Sequence, residues 1–119
     1  MTVRRSERLG EEIREEVARI VAQLKDPRIG FVTVTRVSLT ADLRVARIFV
    51  GVLGDQSQQQ KGLEGLRQAA GFVRRELGRR IRTRYTPEVL FEYDEGLEAT
   101  ERVARLLREV ETDEGEEKP

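Results

Sequence analysis

KGLEGLRQAAGFVRRELGRRIRTR, residues 61–84, carries eight basic side chains (Lys61, Arg67, Arg74, Arg75, Arg79, Arg80, Arg82 and Arg84) against two acids, Glu64 and Glu76. The stretch has a local net charge of +6 in a chain of 119 residues whose total is zero. Leu63, Leu66, Ala70, Val73, Leu77 and Ile81 recur through it in steps of three and four, the spacing of one buried helical face. At about 100° per residue these six fall within a sector of roughly 80°. Lys61, Arg75, Arg79 and Arg82 cluster within about 60° on the opposite side. A small-residue break, Ala69-Ala70-Gly71, interrupts the pattern. On a straight helix Phe72 lies outside the apolar sector; a bend at Gly71 is expected to bring it inward. The sharper reading is a kinked helix pair presenting cations to an anion. The blander one is a straight surface helix with a solvated Arg face.

Outward from that stretch, the composition bounds the rest. The length fits one domain with a single core, and 37% charged against 38% hydrophobic residues keeps that core small. No apolar run approaches the roughly 18 residues of a membrane span, and the N-terminus MTVRRSERLG has no apolar segment after its basic residues. The absence of cysteine excludes disulfides and thiolate chemistry, which fits a cytoplasmic protein. Charge is unevenly placed: residues 1–94 hold 18 basic and 13 acidic side chains, and residues 95–119 hold 4 and 9. A basic body with an acidic end is common among proteins that meet nucleic acid. Arg outnumbers Lys 19 to 3, favouring bidentate phosphate contacts, although base composition or heat adaptation of the source gives the same bias.

In chain order, residues 6–24 read as a helix with Ser6 as N-cap and a stripe of Leu9, Ile13, Val17, Ile20, Val21 and Leu24. Its Glu11, Glu12, Glu15 and Glu16 read as a solvated face with pairs such as Glu15 to Arg19, since a carboxylate metal site on a helix usually also has His. Lys25–Gly30 turns the chain. FVTVTRVSL, residues 31–39, reads as a strand whose apolar parity changes between Val34 and Val37, the mark of a bulge. LRVARIFVGVL, residues 43–53, follows as the second strand of a hairpin, with Arg36, Arg44 and Arg47 able to extend a basic surface. A polar connection over 54–60 leads into the basic stretch. VLFEY, residues 89–93, is the third strand, and 97–110 a final amphipathic helix before an acidic tail, 112–119, expected to be disordered. The order is α-β-β-α-kink-α-β-α: an α+β fold with a three-stranded sheet and helices on one face, in one domain over 1–111.

No catalytic constellation is present. The chain has no His or Cys, no phosphate-binding loop and no dinucleotide fingerprint, and Asp42, Asp55 and Asp94 sit at turn positions. It reads as a binding module and not an enzyme, with no cofactor, no metal and no small-molecule substrate.

The element order resembles the type II KH fold, in which a Gly-x-x-Gly loop between two helices approaches the nucleic-acid backbone. Gly62-Leu63-Glu64-Gly65 matches that motif literally, but it carries an acid and lies early in the helix, so it reads as a decoy. Ala69-Ala70-Gly71, the following FVRRELGRRIRTRYTPEVLFEYDEG and the earlier LKDPRIGFVTVTRVSLTADLRVARIFV resemble, over roughly residues 4–110, the ribosome-binding factor A family. That family has a KH-like fold with an Ala-x-Gly kink in place of the loop. The resemblance implies a monomer that binds the free 30S subunit and precursor 16S rRNA. It also implies support for late maturation, including 5′-end processing, and for cold adaptation. Carried onto this chain, it makes the kink residues Ala69 and Gly71 candidates for rRNA contact. Charge adds Lys61, Arg67, Arg74, Arg75, Arg79, Arg80, Arg82 and Arg84, with Arg80 near the apolar border. The methyl of Ala69 and the scarcity of aromatics point to Arg–phosphate docking on folded rRNA and not to reading of an extended strand. A protein–protein adaptor acting through the acidic C-terminal helix and tail is the alternative.

Overall fold

A computed structural model describes residues 2–96. The expected last helix, the acidic tail and the boundary between them lie outside the described residues. Within them the elements are α1 (Thr2–Ala22), β1 (Val32–Leu39), β2 (Val45–Val52), α2 (Gln56–Gln68), α3 (Ala70–Arg80) and β3 (Glu88–Tyr93). The strands form one sheet in the order β1-β2-β3. β1 and β2 are an antiparallel hairpin, and β3 returns parallel to β2 after the α2–α3 crossover. Parallel neighbours need such a connection, and helices on one face result.

Alternation on the strands decides which face is covered. Val34, Ala46, Ile48, Val50, Val52, Val89 and Phe91 point inward and are buried. They join Ile13, Val17, Ile20 and Val21 of α1, Leu66 of α2, and Val73 and Leu77 of α3 in one apolar cluster. The register of β1 slips between Val34 and Arg36, so Thr35 is the bulged residue. That slip keeps Val37 and Leu39 on the inner side, which is why the apolar parity of this strand changes.

Several boundaries differ from the sequence reading, each for a local reason. α1 begins at Thr2, so Ser6 lies inside the helix and does not cap it. Arg19 pairs with Glu16 at 2.7 Å, three residues away, in place of Glu15. β2 begins at Val45 because Leu43 takes a left-handed φ of 60° within a turn closed by Asp42, which accepts from Thr40 Oγ1 at 2.7 Å and Arg44 N at 3.1 Å. The connection after β2 is shorter than expected. Asp55 accepts from Gln58 N at 2.8 Å while the Gln58 side chain accepts from Asp55 N at 2.8 Å, so a capping box starts α2 at Gln56.

Candidate nucleic-acid interface

The basic stretch divides into two helices at Ala69, whose φ of −85° and ψ of −2° leave α-helical geometry for one residue. The break is braced on both sides. Ala69 N donates to Gly65 O and Leu66 O at 3.1 and 3.0 Å, and Ala69 O accepts from Val73 N at 2.9 Å. No side chain caps the first turn of α3. Val73 and Leu77, both fully buried, fix the rotation of α3 on the sheet.

That rotation overturns the expectation for Phe72. One residue, about 100°, separates it from Val73, so anchoring Val73 in the core turns Phe72 outward. It is 44% exposed. Phe72, Arg75 and Arg79 thus share the outer face of α3, and Arg82 follows where the chain leaves the helix. The helix ends at Arg80 because Ile81 turns extended, with φ −111° and ψ 152°, and Ile81 stays buried.

The ten candidate residues fall into two groups. Arg75, Arg82 and Lys61 are exposed and make no hydrogen bond or ion pair among the described residues. Arg79 is exposed and holds only Glu76 at 3.2 Å, an ion pair worth a few tenths of a kcal/mol at such a surface position. Arg84 lies near the Tyr85 ring, 5.7 Å from its centre. Gly71 is exposed and Ala69 half-buried against the core. The other three are engaged by the fold. Arg67 Nε donates to Phe91 O of the edge strand at 3.2 Å, and Arg74 Nη2 donates to Thr86 O at 3.0 Å. Arg80 reaches Glu16 of α1 at 3.4 Å, the border position that its place on the wheel indicated.

The glycines separate by the same test. A Cβ on Gly65 would sit 2.8 Å from Ile29 Cγ1, and one on Gly62 would sit 3.0 Å from Val52 Cγ1. The Gly-x-x-Gly motif is therefore a packing surface: its glycines let the 26–30 turn and β2 lie directly on α2. A Cβ on Gly78 would meet Thr86 Oγ1 at 2.7 Å. Gly71 is the exception among the four glycines of residues 61–84. A Cβ there meets only Arg75 Nη1, at 3.9 Å, and its φ is ordinary. Nothing in the described residues requires Gly71, although Gly costs a helix about 0.5–1 kcal/mol relative to Ala.

Two features were not read from the sequence as parts of the site. The 26–30 turn is an anchor for α2: Arg28 holds both carboxylate oxygens of Asp26 and donates to Gln68 Oε1 at 2.8 Å. Those Arg28 hydrogen bonds hold the Asp26 carboxyl below the usual carboxylate range. The second is Tyr85, an exposed aromatic beside Arg44 and Arg84. The sequence reading names Arg44 only as able to extend a basic surface, and the fold sets it 5.2 Å from the Tyr85 ring. Among the described residues no group of three His, Cys, Asp or Glu can hold a metal, and no helix is long and apolar enough to cross a membrane.

Comparison with known proteins places this geometry. Residues 5–107 match the family "Ribosome-binding factor A". The chain belongs to the ribosome-binding factor A family. A protein of Desulfitobacterium hafniense (strain DSM 10664 / DCB-2) called ribosome-binding factor A is 48% identical over 121 residues, covering 98% of this chain and 97% of its own length. The crystal structure of ribosome-binding factor A from Thermus thermophilus superposes with a TM-score of 0.68 at 26% identity, covering 74% of this chain and 93% of that one. A homology model of the Thermus thermophilus ribosome binding factor A, fitted into a cryo-EM map of a 30S complex, gives a TM-score of 0.63 at 26% identity over 73% of this chain and 92% of that one. The fold is accordingly the family's KH-like α+β arrangement.

Proposed function

We propose that this protein binds the free small ribosomal subunit through the outer face of α3 and assists late maturation of 16S rRNA, including processing of its 5′ end. The observation that carries the reading is the exposed cation stripe Arg75, Arg79 and Arg82, of which only Arg79 has an ion-pair partner among the described residues, beginning at a glycine the fold does not need. An exposed Gly71 in the first turn of α3 lets a phosphate approach the backbone N–H groups, where the helix dipole is positive. Arg75, lying back over Gly71, supplies a charge-assisted partner there. Arg79 extends the contact to the last turn of α3, a helix of eleven residues and about 16 Å, and Arg82 continues it just past the helix end. Phe72 adds an apolar surface to the same face. The family relationship supplies the partner class, since the name and the 30S complex of the Thermus thermophilus protein speak for a ribosomal target. A surface helix on a braced break is rigid, which suits folded rRNA better than a mobile single strand.

The test is co-sedimentation with purified free small subunits and with complete ribosomes. The wild-type chain is expected on free small subunits, and the triple variant R75E/R79E/R82E is expected to lose that association. Log affinity against log salt should be steep for wild type and flatter by about two to three units of slope for the triple variant. Unchanged subunit binding and slope in the triple variant refutes the reading and favours the adaptor function of the acidic C-terminal region.

A further inference from the structure

The loop between α3 and β3 is held by contacts on both sides of Tyr85, whose side chain faces outward. Thr83 Oγ1 donates to Tyr85 O at 2.8 Å. Arg74 Nε and Nη2 both donate to Thr86 O, at 3.3 and 3.0 Å, and Thr86 packs over Gly78 so closely that a Cβ there would be 2.7 Å from its Oγ1. Pro87 is fully buried, and Glu88 N donates to Arg44 O at 2.7 Å as β3 begins. The loop is therefore fixed at both ends of Tyr85, while the residue itself is 57% exposed. The Arg44 and Arg84 guanidinium groups lie 5.2 and 5.7 Å from its ring centre, within cation–π range. A cavity of about 480 Å³ opens beside it, lined by Arg44, Arg74, Tyr85, Thr86, Glu88 and Asp42.

From this geometry we propose that Tyr85 is a stacking platform for one unpaired RNA base, with Arg44 and Arg84 holding the phosphates on either side of it. The proposal rests on the reading of α3 as an RNA-facing helix and extends it to the loop that follows, where Arg82, Arg84 and Tyr85 come directly after the helix in the chain. The charge balance around the ring and the cavity favours an anion. Three guanidinium groups (Arg44, Arg74 and Arg84) stand there against two carboxylates, and the Asp42 carboxylate already accepts from Thr40 Oγ1 and Arg44 N. A neutral ring beside cations suits a base attached to phosphates, because the ring takes the base face and the guanidinium groups take the charge. Because the loop is already ordered, little conformational freedom remains to be lost on binding.

The chain has two tyrosines and no tryptophan, so a Tyr85→Trp variant reports on this site alone by its emission. The probe is an RNA hairpin carrying an unpaired uridine overhang, with the same stem blunt-ended as control. Emission of the Tyr85→Trp variant is expected to be quenched by the overhang hairpin and not by the blunt stem. Tyr85→Leu is expected to weaken overhang binding by about tenfold while leaving blunt-stem binding unchanged, and Tyr85→Phe to retain it. Emission unaffected by saturating overhang hairpin overturns the proposal even if Tyr85→Leu fails to fold. So does emission that responds to ribosomal proteins stripped of RNA but not to either RNA. Running R75E/R79E/R82E beside it separates the two readings: loss of all RNA binding there, with unquenched emission in Tyr85→Trp, leaves the α3 interface standing and removes the base site.

Discussion

Replacing Gly71 and Gly65 by alanine should move stability in opposite directions. Gly65 lies in a helix of thirteen residues and Gly71 in one of eleven, and on propensity alone each exchange should stabilise by up to about 1 kcal/mol. The surroundings then decide. At Gly71 the new methyl meets only Arg75 Nη1 at 3.9 Å, ordinary contact with the movable end of a long side chain. At this first-turn position a gain of up to about 1 kcal/mol survives, a rise in Tm of up to about 5 °C for a chain of this size. At Gly65 the methyl would lie 2.8 Å from Ile29 Cγ1 and 3.4 Å from Asp26 Oδ2. Ile29 is packed against the core and Asp26 is tied to Arg28, so the turn must lift off α2. Overpacking of that kind costs about 1–3 kcal/mol and outweighs the propensity term. Thermal unfolding followed by circular dichroism at 222 nm should therefore place Gly71→Ala above wild type and Gly65→Ala below it. Fluorescence anisotropy with labelled RNA then completes the test, because Gly71→Ala should bind more weakly despite being more stable. A lower Tm for Gly71→Ala refutes the claim that nothing closes on that residue, and undiminished RNA affinity refutes backbone–phosphate contact at the break.

Other perturbations probe separate parts of the argument. The Asp26 carboxyl is held below its ordinary value in the folded chain, so its contribution to stability is present above that value and is lost as pH falls through the lower, folded-state one. Melts at pH 7 and near pH 3 should show Asp26→Asn costing stability at the first and much less at the second; an equal cost at both would remove the ionic role. Phe72→Ala should cost well under 1 kcal/mol in urea denaturation yet weaken RNA binding, whereas Leu77→Ala, at a fully buried position, should cost about 2–5 kcal/mol. Equal costs for the two would contradict the rotation of α3 described above. Asp55→Ala removes the carboxylate that accepts from Gln58 N, one half of the capping box, and should cost about 0.5–2 kcal/mol in the same assay, without changing the salt dependence of RNA binding.

Periodicity made the fold legible, since burial of one face per element is imposed by spacing alone. The steps of three and four from Leu63 to Ile81, the alternation in β2 and the parity change at Thr35 each correspond to an observed helix, strand or bulge. The break at Ala69-Ala70-Gly71 was legible for the same reason, as was the resemblance of the whole pattern to its family. What the linear pattern did not contain was the identity of neighbours. Arg67 and Arg74 look like any other cations of the stretch, and only the return of the chain through Thr86 into β3 supplies the Thr86 and Phe91 carbonyls that engage them. Phe72 had two readings along a helix axis, and anchoring of Val73 in a particular sheet chose one. Gly62 and Gly65 matched a nucleic-acid motif by letter, whereas their neighbours Val52 and Ile29 make them packing residues. Local spacing and composition set where the helices, strands, break and excess positive charge lie. Which cations remain available, and which of the glycines of residues 61–84 is free of packing, depend on atoms that folding brings close from distant parts of the chain.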